Sequence, residues 1–368
     1  MAIGLLLQLG MAVIMLWSAP GRAALQAISN GVAKVVDSSV AGAVFAFGEG
    51  YQEHFVAFAI PATIIFFSTL MAVLYYFGII QLLVKGMAWG IRKLLPVSGA
   101  ESLVAAANVF IGNTEAPLMV RPYIPAMTRS EIMAMMVAGM ATMSGGMLAV
   151  YIGLGADAGY LLTASLMAAP GSLVVAKILR PEIDRPITRS GRIEKLQSED
   201  VNAFAAMTRG ASEGLILAAT VVAMLIAFVA MVALINMILG AFPDLWGEPL
   251  TLQRIFGWIF FPVAWLLGAD LDDAAIVGNL IGIKLFMTEF LAYVELVELG
   301  DAISADSRAV ATFVLCGFSS FISIGVQVGG ISTLAPERKR VIGELGVISM
   351  VGGLIVTLIS TTLASLFF

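Results

Sequence analysis

Of 368 residues, 60% are hydrophobic and only 12% charged, with a mean hydropathy of +0.98, whereas soluble domains carry roughly a quarter charged residues. The chain therefore reads as an integral membrane protein, and its net charge of −5 argues against nucleic acid as a partner. A single cysteine, Cys316, excludes an internal disulfide and a cysteine-based metal cluster, and the one histidine, His54, leaves little room for histidine catalysis. The 37 glycines and 13 prolines are too many for uninterrupted spans. Such breakers are tolerated in a membrane only where protein or a water-filled cavity covers the freed backbone, so broken helices are expected.

The N-terminal stretch MAIGLLLQLGMAVIMLW has no basic residue before its apolar run, unlike a signal peptide, and predicts a first, short transmembrane helix. Long apolar segments lie at 3–18, 56–84, 131–155, 159–178, 211–242, 309–334 and 341–367, each near the roughly 20 residues that cross the hydrocarbon core. The regions 98–126 and 270–298 are apolar but interrupted at their centres by small and polar residues, and predict re-entrant hairpins. The stretches 20–38, 80–95 and 251–268 are amphipathic and predict helices lying in the interface, with solvated linkers as the alternative.

Basic residues set orientation. Lys85, Arg92 and Lys93, Arg121 and Arg129, the crowd from Lys177 to Lys195 (with Arg180, Arg185, Arg189 and Arg192), and Arg338 to Arg340 can share the cytoplasmic side. The other side then receives the acidic residues Asp157, Asp244, Glu248, Asp270, Asp272, Asp273, Glu298, Asp301 and Asp306, with Arg22, Lys34, Arg254 and Arg308 as exceptions. The first hairpin would enter from inside and the second from outside. Each holds a Thr-Glu pair, Thr114-Glu115 and Thr288-Glu289, and each is followed by a span interrupted by hydroxyls. From Glu115 to Ser144 is 29 positions and from Glu289 to Ser320 is 31. This is the pattern of an inverted repeat, the common plan of secondary transporters.

A carboxylate inside a span costs at least a few kcal/mol and normally faces a cavity, a partner or a substrate. Glu115 and Glu289 are the leading candidates; the bland alternative is a buried glutamate holding a backbone N–H or pairing with Arg121 or Lys284. Asn108, Thr142 and Ser144 lie near such a break, and oxygen donors without sulfur or imidazole suit a hard cation, for which sodium is the natural candidate. The same hydroxyls taken singly can bond back to their own helices. Two carboxylates, an amide and several hydroxyls suit a neutral polyhydroxylated solute. No Arg or Lys cluster lies in the breaks to hold phosphate.

Along nearly its whole length the sequence resembles the concentrative nucleoside transporter family. The resemblance is carried by FSTLMAVLYYFGIIQ (67–81), SGAESLVAAANVFIGNTEAPLMVRPYIPAMTRSE (98–131), LMAAPGSLVVAK (166–177), GIKLFMTEFLAY (282–293) and CGFSSFISIGVQVGGISTLAPERKR (316–340). The chain is similar to a member lacking the usual first peripheral helix. The resemblance implies an all-α polytopic membrane protein with about seven transmembrane helices and two oppositely oriented hairpins. It also implies a homotrimer, lipid-embedded in the cell's inner membrane, that imports nucleosides with a cation gradient and has no enzymatic activity. Scaffold helices would occupy 1–55, 56–97 and 201–250, and the two repeats of a transport domain 98–200 and 251–368.

By the same resemblance Asn113, Thr114 and Glu115 would face the nucleobase, with Met147 in the apolar wall and Phe318 near the base. Glu289, Ser320 and Ser323 would hold the ribose, and sodium would be bound by Asn108 and Thr142 and the carbonyls of Ile111 and Met143. Three positions depart from the family pattern: Asn113 where Gln is usual, Thr288 where Asn precedes the Glu, and Ser319-Ser320 where Ala-Asn follows the Phe. The shorter groups imply a larger cavity with fewer hydrogen bonds, and a preference altered toward purine or modified nucleosides. Glu115 or Glu289 carrying a proton keeps proton coupling as the alternative. An intramembrane acid/base enzyme or a passive channel are the other classes, and neither has a supporting motif.

Overall fold

A computed structural model of the chain describes residues 2–191, 200–243 and 249–368. Arg192 and Lys195 of the basic loop, Asp244 and Glu248 of the acidic side, and the side chain of His54 lie outside the described residues. All regular secondary structure among the described residues is helical. Helix α1 (Ala2–Ala12) continues as one π turn to Trp17, and Ser18 then caps α2 (Ala19–Phe47), its hydroxyl accepting from the Gly21 N–H. The amphipathic piece expected at 20–38 is thus a helix of 29 residues, because no stop signal intervenes before Gly48, whose φ of 83° ends it.

The span expected at 56–84 is shorter. Helix α3 (Ile60–Tyr76) stops where Gly78 turns the chain with φ 78°, and α4 (Ile79–Leu94) starts beyond the turn. The apolar composition ran on into the buried face of α4, which hid this boundary. Two capping boxes then start α5 (Gly99–Ala107) and α6 (Arg129–Ala141): Ser98 with Glu101, and Thr128 with Glu131. Between them the first hairpin returns through a 3-10 helix, Ala116–Ala126, because Pro117, Pro122 and Pro125 lack the N–H groups that an α-helix needs.

The remaining elements are α7 (Gly145–Leu154), α8 (Ala158–Leu179), α9 (Ala203–Leu239), α10 (Leu252–Leu266), α11 (Ala274–Phe286), α12 (Glu289–Glu298), α13 (Ala305–Leu315), α14 (Phe321–Leu334) and α15 (Lys339–Ala364). Among the described residues five helices are long and apolar enough to cross a membrane, and α1 joined to α2 makes a sixth. Helices α13 and α14 are each too short to cross alone and are separated by residues 316–320. Helix α9 begins at the Asn202 cap, earlier than the apolar run at 211 indicates.

Helix α8 is the ruler on which the two hairpins are placed. The base of the first sits at its C-terminal end, where Lys177 of the last turn pairs with Glu101, and the loop beyond α8 adds the Gly99 N–H donating to Thr188 O (3.0 Å) and the Ala100 N–H to Thr188 Oγ1 (3.1 Å). Val297, near the end of the second, lies against Gly155 beside the N-terminus of α8. The hairpins therefore enter from opposite ends. Two apolar cores follow this division: one gathers α5, the 3-10 arm and α6, the other α11, α12 and α13, and α8 contributes to both.

Buried charge at the first base is confined to a network. Glu101 and Glu131 are both 1% exposed. Glu131 accepts from Ser98 Oγ (2.7 Å), and Lys177 Nζ lies 2.5 Å from Glu101 Oε1 and 3.2 Å from Glu182. The Lys177–Glu101 contact lies off the hydrogen-bonding direction, so it acts as a charge pair, not a directed bond. On the other flank α3 packs along α9, whereas α1 packs on α8 and α15. Buried Gln8 seals the α1 contact, its Nε2 donating to Met167 O (3.0 Å) and Ser360 Oγ (3.1 Å).

Candidate functional site

Both repeats break where the hairpin tips arrive. In the first, Thr142 is extended and Met143 lies outside both helices, between α6 and α7, and Ser144 caps α7 by accepting from the Met147 N–H. In the second, residues 316–320 separate α13 from α14, and Ser320 caps α14 by accepting from the Ser323 N–H. The two breaks touch through main-chain atoms, the Phe318 N–H donating to Thr142 O (3.3 Å). Only a glycine fits beside this crossing: Gly317 has φ 106°, and a Cβ there would stand 2.7 Å from Ala141 O. The tip of the first hairpin is joined to its break in the same way, by the Gly145 N–H donating to Phe110 O (3.0 Å).

Around this crossing lies a cavity of about 220 Å³. Every residue expected at the substrate lines it: Asn113, Thr114 and Glu115 from the first tip, Met147 from α7, Glu289 from the second tip, and Phe318, Ser320 and Ser323 from the second break. Glu115 is exposed to this space while its Oε2 accepts from the Gly112 N–H (3.1 Å), which folds the tip back on itself. Glu289 opens α12 behind the Thr288 cap and is 6% exposed. Tyr151 reaches its Oε1 at 3.5 Å and stacks on Tyr293 with ring centroids 4.2 Å apart. The hydroxyls of Ser320 and Ser323 bond to each other at 2.8 Å.

The Lys284 ion pair expected as one bland alternative for Glu289 is not formed, although Glu289 does hold its own backbone N–H. Lys284 Nζ donates instead to the carbonyls of Val314 (2.8 Å) and Cys316 (3.4 Å).

Beside the cavity, Asn108 and Thr142 are buried, as are Ile111 and Met143. Asn108 Nδ2 donates to Val104 O (3.0 Å), which leaves Oδ1 buried with no protein donor. Thr142 Oγ1 donates to Ala138 O (2.8 Å) and keeps its lone pairs. Asn108 Oδ1 and the Thr142 lone pairs are thus open to a further partner, and oxygen donors alone fit a hard monovalent cation. The residues present therefore fit sodium.

What the sequence did not identify is the opposite wall. Leu217, Thr220, Val221, Met224, Leu225 and Phe228, all on one face of α9, close the cavity. Their i, i+3, i+4 spacing was available, but in an apolar span a lining face and a lipid-facing one have the same composition.

A helical membrane protein with two hairpins entering from opposite ends and meeting at broken helices has the architecture of a secondary transporter. Three family models match in succession: "Na+ dependent nucleoside transporter N-terminus" over residues 1–50, "Nucleoside recognition" over 57–158 and "Na+ dependent nucleoside transporter C-terminus" over 160–365. The chain belongs to the concentrative nucleoside transporter family, whose members are transporters and not enzymes.

An uncharacterized transporter of Haemophilus influenzae is 41% identical over 99% of this chain and 90% of its own length. Solute carrier family 28 member 3 of Rattus norvegicus is 37% identical over 99% of this chain, which spans 54% of that protein. Sodium/nucleoside cotransporter 1 of Mus musculus is 35% identical, and the chain spans 59% of it. Among solved structures, CNTnw in an inward-facing substrate-bound state is 40% identical and superposes with a TM-score of 0.92 over 100% of this chain and 90% of its own.

Proposed function

We propose that the protein is a sodium-coupled nucleoside symporter. One observation carries this reading: both hairpin tips, both helix breaks and one face of α9 converge on a single cavity that presents Glu115 and Glu289. The cavity's groups can all accept or donate to a neutral, hydroxyl-rich solute. Asn113, Thr114 and Glu115 read the base, with Phe318 and Met147 beside it. Glu289 takes ribose hydroxyls, and the Ser320–Ser323 pair offers one further hydroxyl, since each already occupies the other. When bound, sodium supplies positive charge to Asn108 Oδ1, Thr142 Oγ1 and the Ile111 and Met143 carbonyls, which favours a tip docked on its break.

The moving unit comprises the two hairpins, both broken helices, α8 and α15; α3 and α9 form the stationary wall. Helix α1 joins the moving unit, since its contacts are with α8 and α15, although the sequence-based division put residues 1–55 with the scaffold. Three such protomers sit in the cell's inner membrane, each with its own pathway.

The test is uptake of labelled nucleoside by proteoliposomes. An inward sodium gradient should drive accumulation above equilibrium, whereas a sodium-independent accumulation that follows a proton gradient would transfer the coupling to the cavity carboxylates. A second prediction concerns selectivity. Asn113→Gln moves the amide outward by one methylene into the cavity, so the ranking of purine, pyrimidine and modified nucleosides in competition assays should shift by roughly 10-fold or more between the best and the displaced substrate. An unchanged ranking would remove Asn113 from the base contact.

A further inference from the structure

Lys284 is the one basic side chain among the described residues that is wholly buried, 0% exposed, within an apolar core. Its acceptors are not carboxylates. No carboxylate among the described residues forms an ion pair with it, and Nζ donates to two main-chain carbonyls, Val314 at 2.8 Å and Cys316 at 3.4 Å. Those carbonyls belong to the end of α13, which stops at Leu315, with Cys316 leaving the helix at φ −61°, ψ 125°. The last carbonyls of a helix lack intrahelical partners and form its negative pole. An ammonium held there by carbonyl oxygens occupies the position that a free cation would take.

The first repeat has the same arrangement with one difference. Asn108 closes the entry arm of the first hairpin as Lys284 lies in the last turn of the entry arm of the second. Helix α6 ends at Ala141 as α13 ends at Leu315, each at the break of its span. At that point the first repeat carries no basic side chain: the α6 end is met by the Thr142 hydroxyl on Ala138 O, and Asn108 Oδ1 is left without a protein donor. The second offers acceptors already satisfied by an ammonium on a four-carbon stem.

We infer that Lys284 is a resident cation, the covalent counterpart in the second repeat of the ion taken from solution by the first. It neutralises the α13 end and pins the second hairpin to its broken helix at all times. One diffusible cation therefore accompanies each nucleoside, and the second hairpin does not respond to ion concentration. The ion in the first repeat rests on the sodium-symport reading above, but the role of Lys284 can be tested without it.

Detergent-purified wild type, Lys284→Ala, Lys284→Met and Lys284→Arg would be melted in choline, sodium, potassium and methylammonium chloride, with no nucleoside present. Lys284→Arg should stay close to wild type. Lys284→Ala should melt several degrees lower in choline and regain most of that loss, saturably, with potassium or methylammonium, to which the wild type shows no matching response. Lys284→Met, which fills the space without charge, should stay below the wild type by the same margin in every salt. A Lys284→Met protein that melts and transports like wild type would overturn the inference, and so would a folded Lys284→Ala that no cation restores. Should Lys284→Ala not fold, the sodium-to-nucleoside ratio of wild-type proteoliposomes decides: one supports the inference and two overturns it. Wild-type vesicles with no sodium-driven uptake would defeat the symport reading alone, since the melting series needs neither nucleoside nor transport.

Discussion

Glu289→Ala is expected to lower nucleoside accumulation by roughly 100-fold or more while leaving the protein folded. A carboxylate accepting two ribose hydroxyls makes two charge-assisted hydrogen bonds, each about 1.5–3 kcal/mol, and every 1.4 kcal/mol is tenfold in affinity. The fold should barely notice the change. Glu289 takes little from its surroundings: the Tyr151 hydroxyl is at 3.5 Å, and α12 is capped by Thr288, which the substitution leaves in place. Glu289→Gln keeps the size and one acceptor and should fall between. Equal melting temperatures with uptake lost would place the residue at the substrate, whereas uptake within threefold of wild type would remove it from the site.

Asn108→Ala should separate ion from nucleoside. It deletes the buried Oδ1 that has no protein donor, and it also releases the Nδ2 bond to Val104 O. Losing an unsatisfied acceptor together with its amide costs little, so the variant in sodium-free buffer should melt within a few degrees of wild type. In sodium the two should diverge. A ligand that binds only the folded state raises stability by RT ln(1 + [L]/Kd), so wild type gains with sodium and the variant does not. In vesicles the sodium concentration for half-maximal uptake should rise roughly 10-fold or more, with nucleoside affinity at saturating sodium far less affected. An unaltered sodium response in both assays would exclude Asn108 as a ligand.

Much of this was legible in the sequence because membranes restrict what a chain can do. Spans need length and low charge, so α8 and α15 were located to within a few residues, and a charge in such surroundings marks a cavity, which singled out Glu115 and Glu289. Boundaries were less legible where two apolar helices abut. Gly78 separates α3 from α4, but one glycine among 37 announces no turn until its φ is seen. The α9 wall was hidden for the opposite reason: its composition is that of lipid-facing helix everywhere, and only packing distinguishes the face with Thr220 and Phe228. Polar networks gave mixed signals. The capping residues at 98 and 101 are a readable motif, yet nothing in the order of residues reveals that Thr188 and Lys177 close on them from more than seventy positions away.

The joints at the centre of the molecule use backbone atoms: the Phe318 N–H on Thr142 O, and the Gly145 N–H on Phe110 O. Their donors and acceptors are the same whatever side chain stands nearby. Asn113, which lines the cavity and makes none of these joints, can therefore be replaced without loosening the frame, whereas Thr288 and Ser320 also cap α12 and α14. A lineage can explore new substrates by single replacements at such a position and stay foldable at each step, while Gly317, which admits no Cβ, should remain fixed throughout.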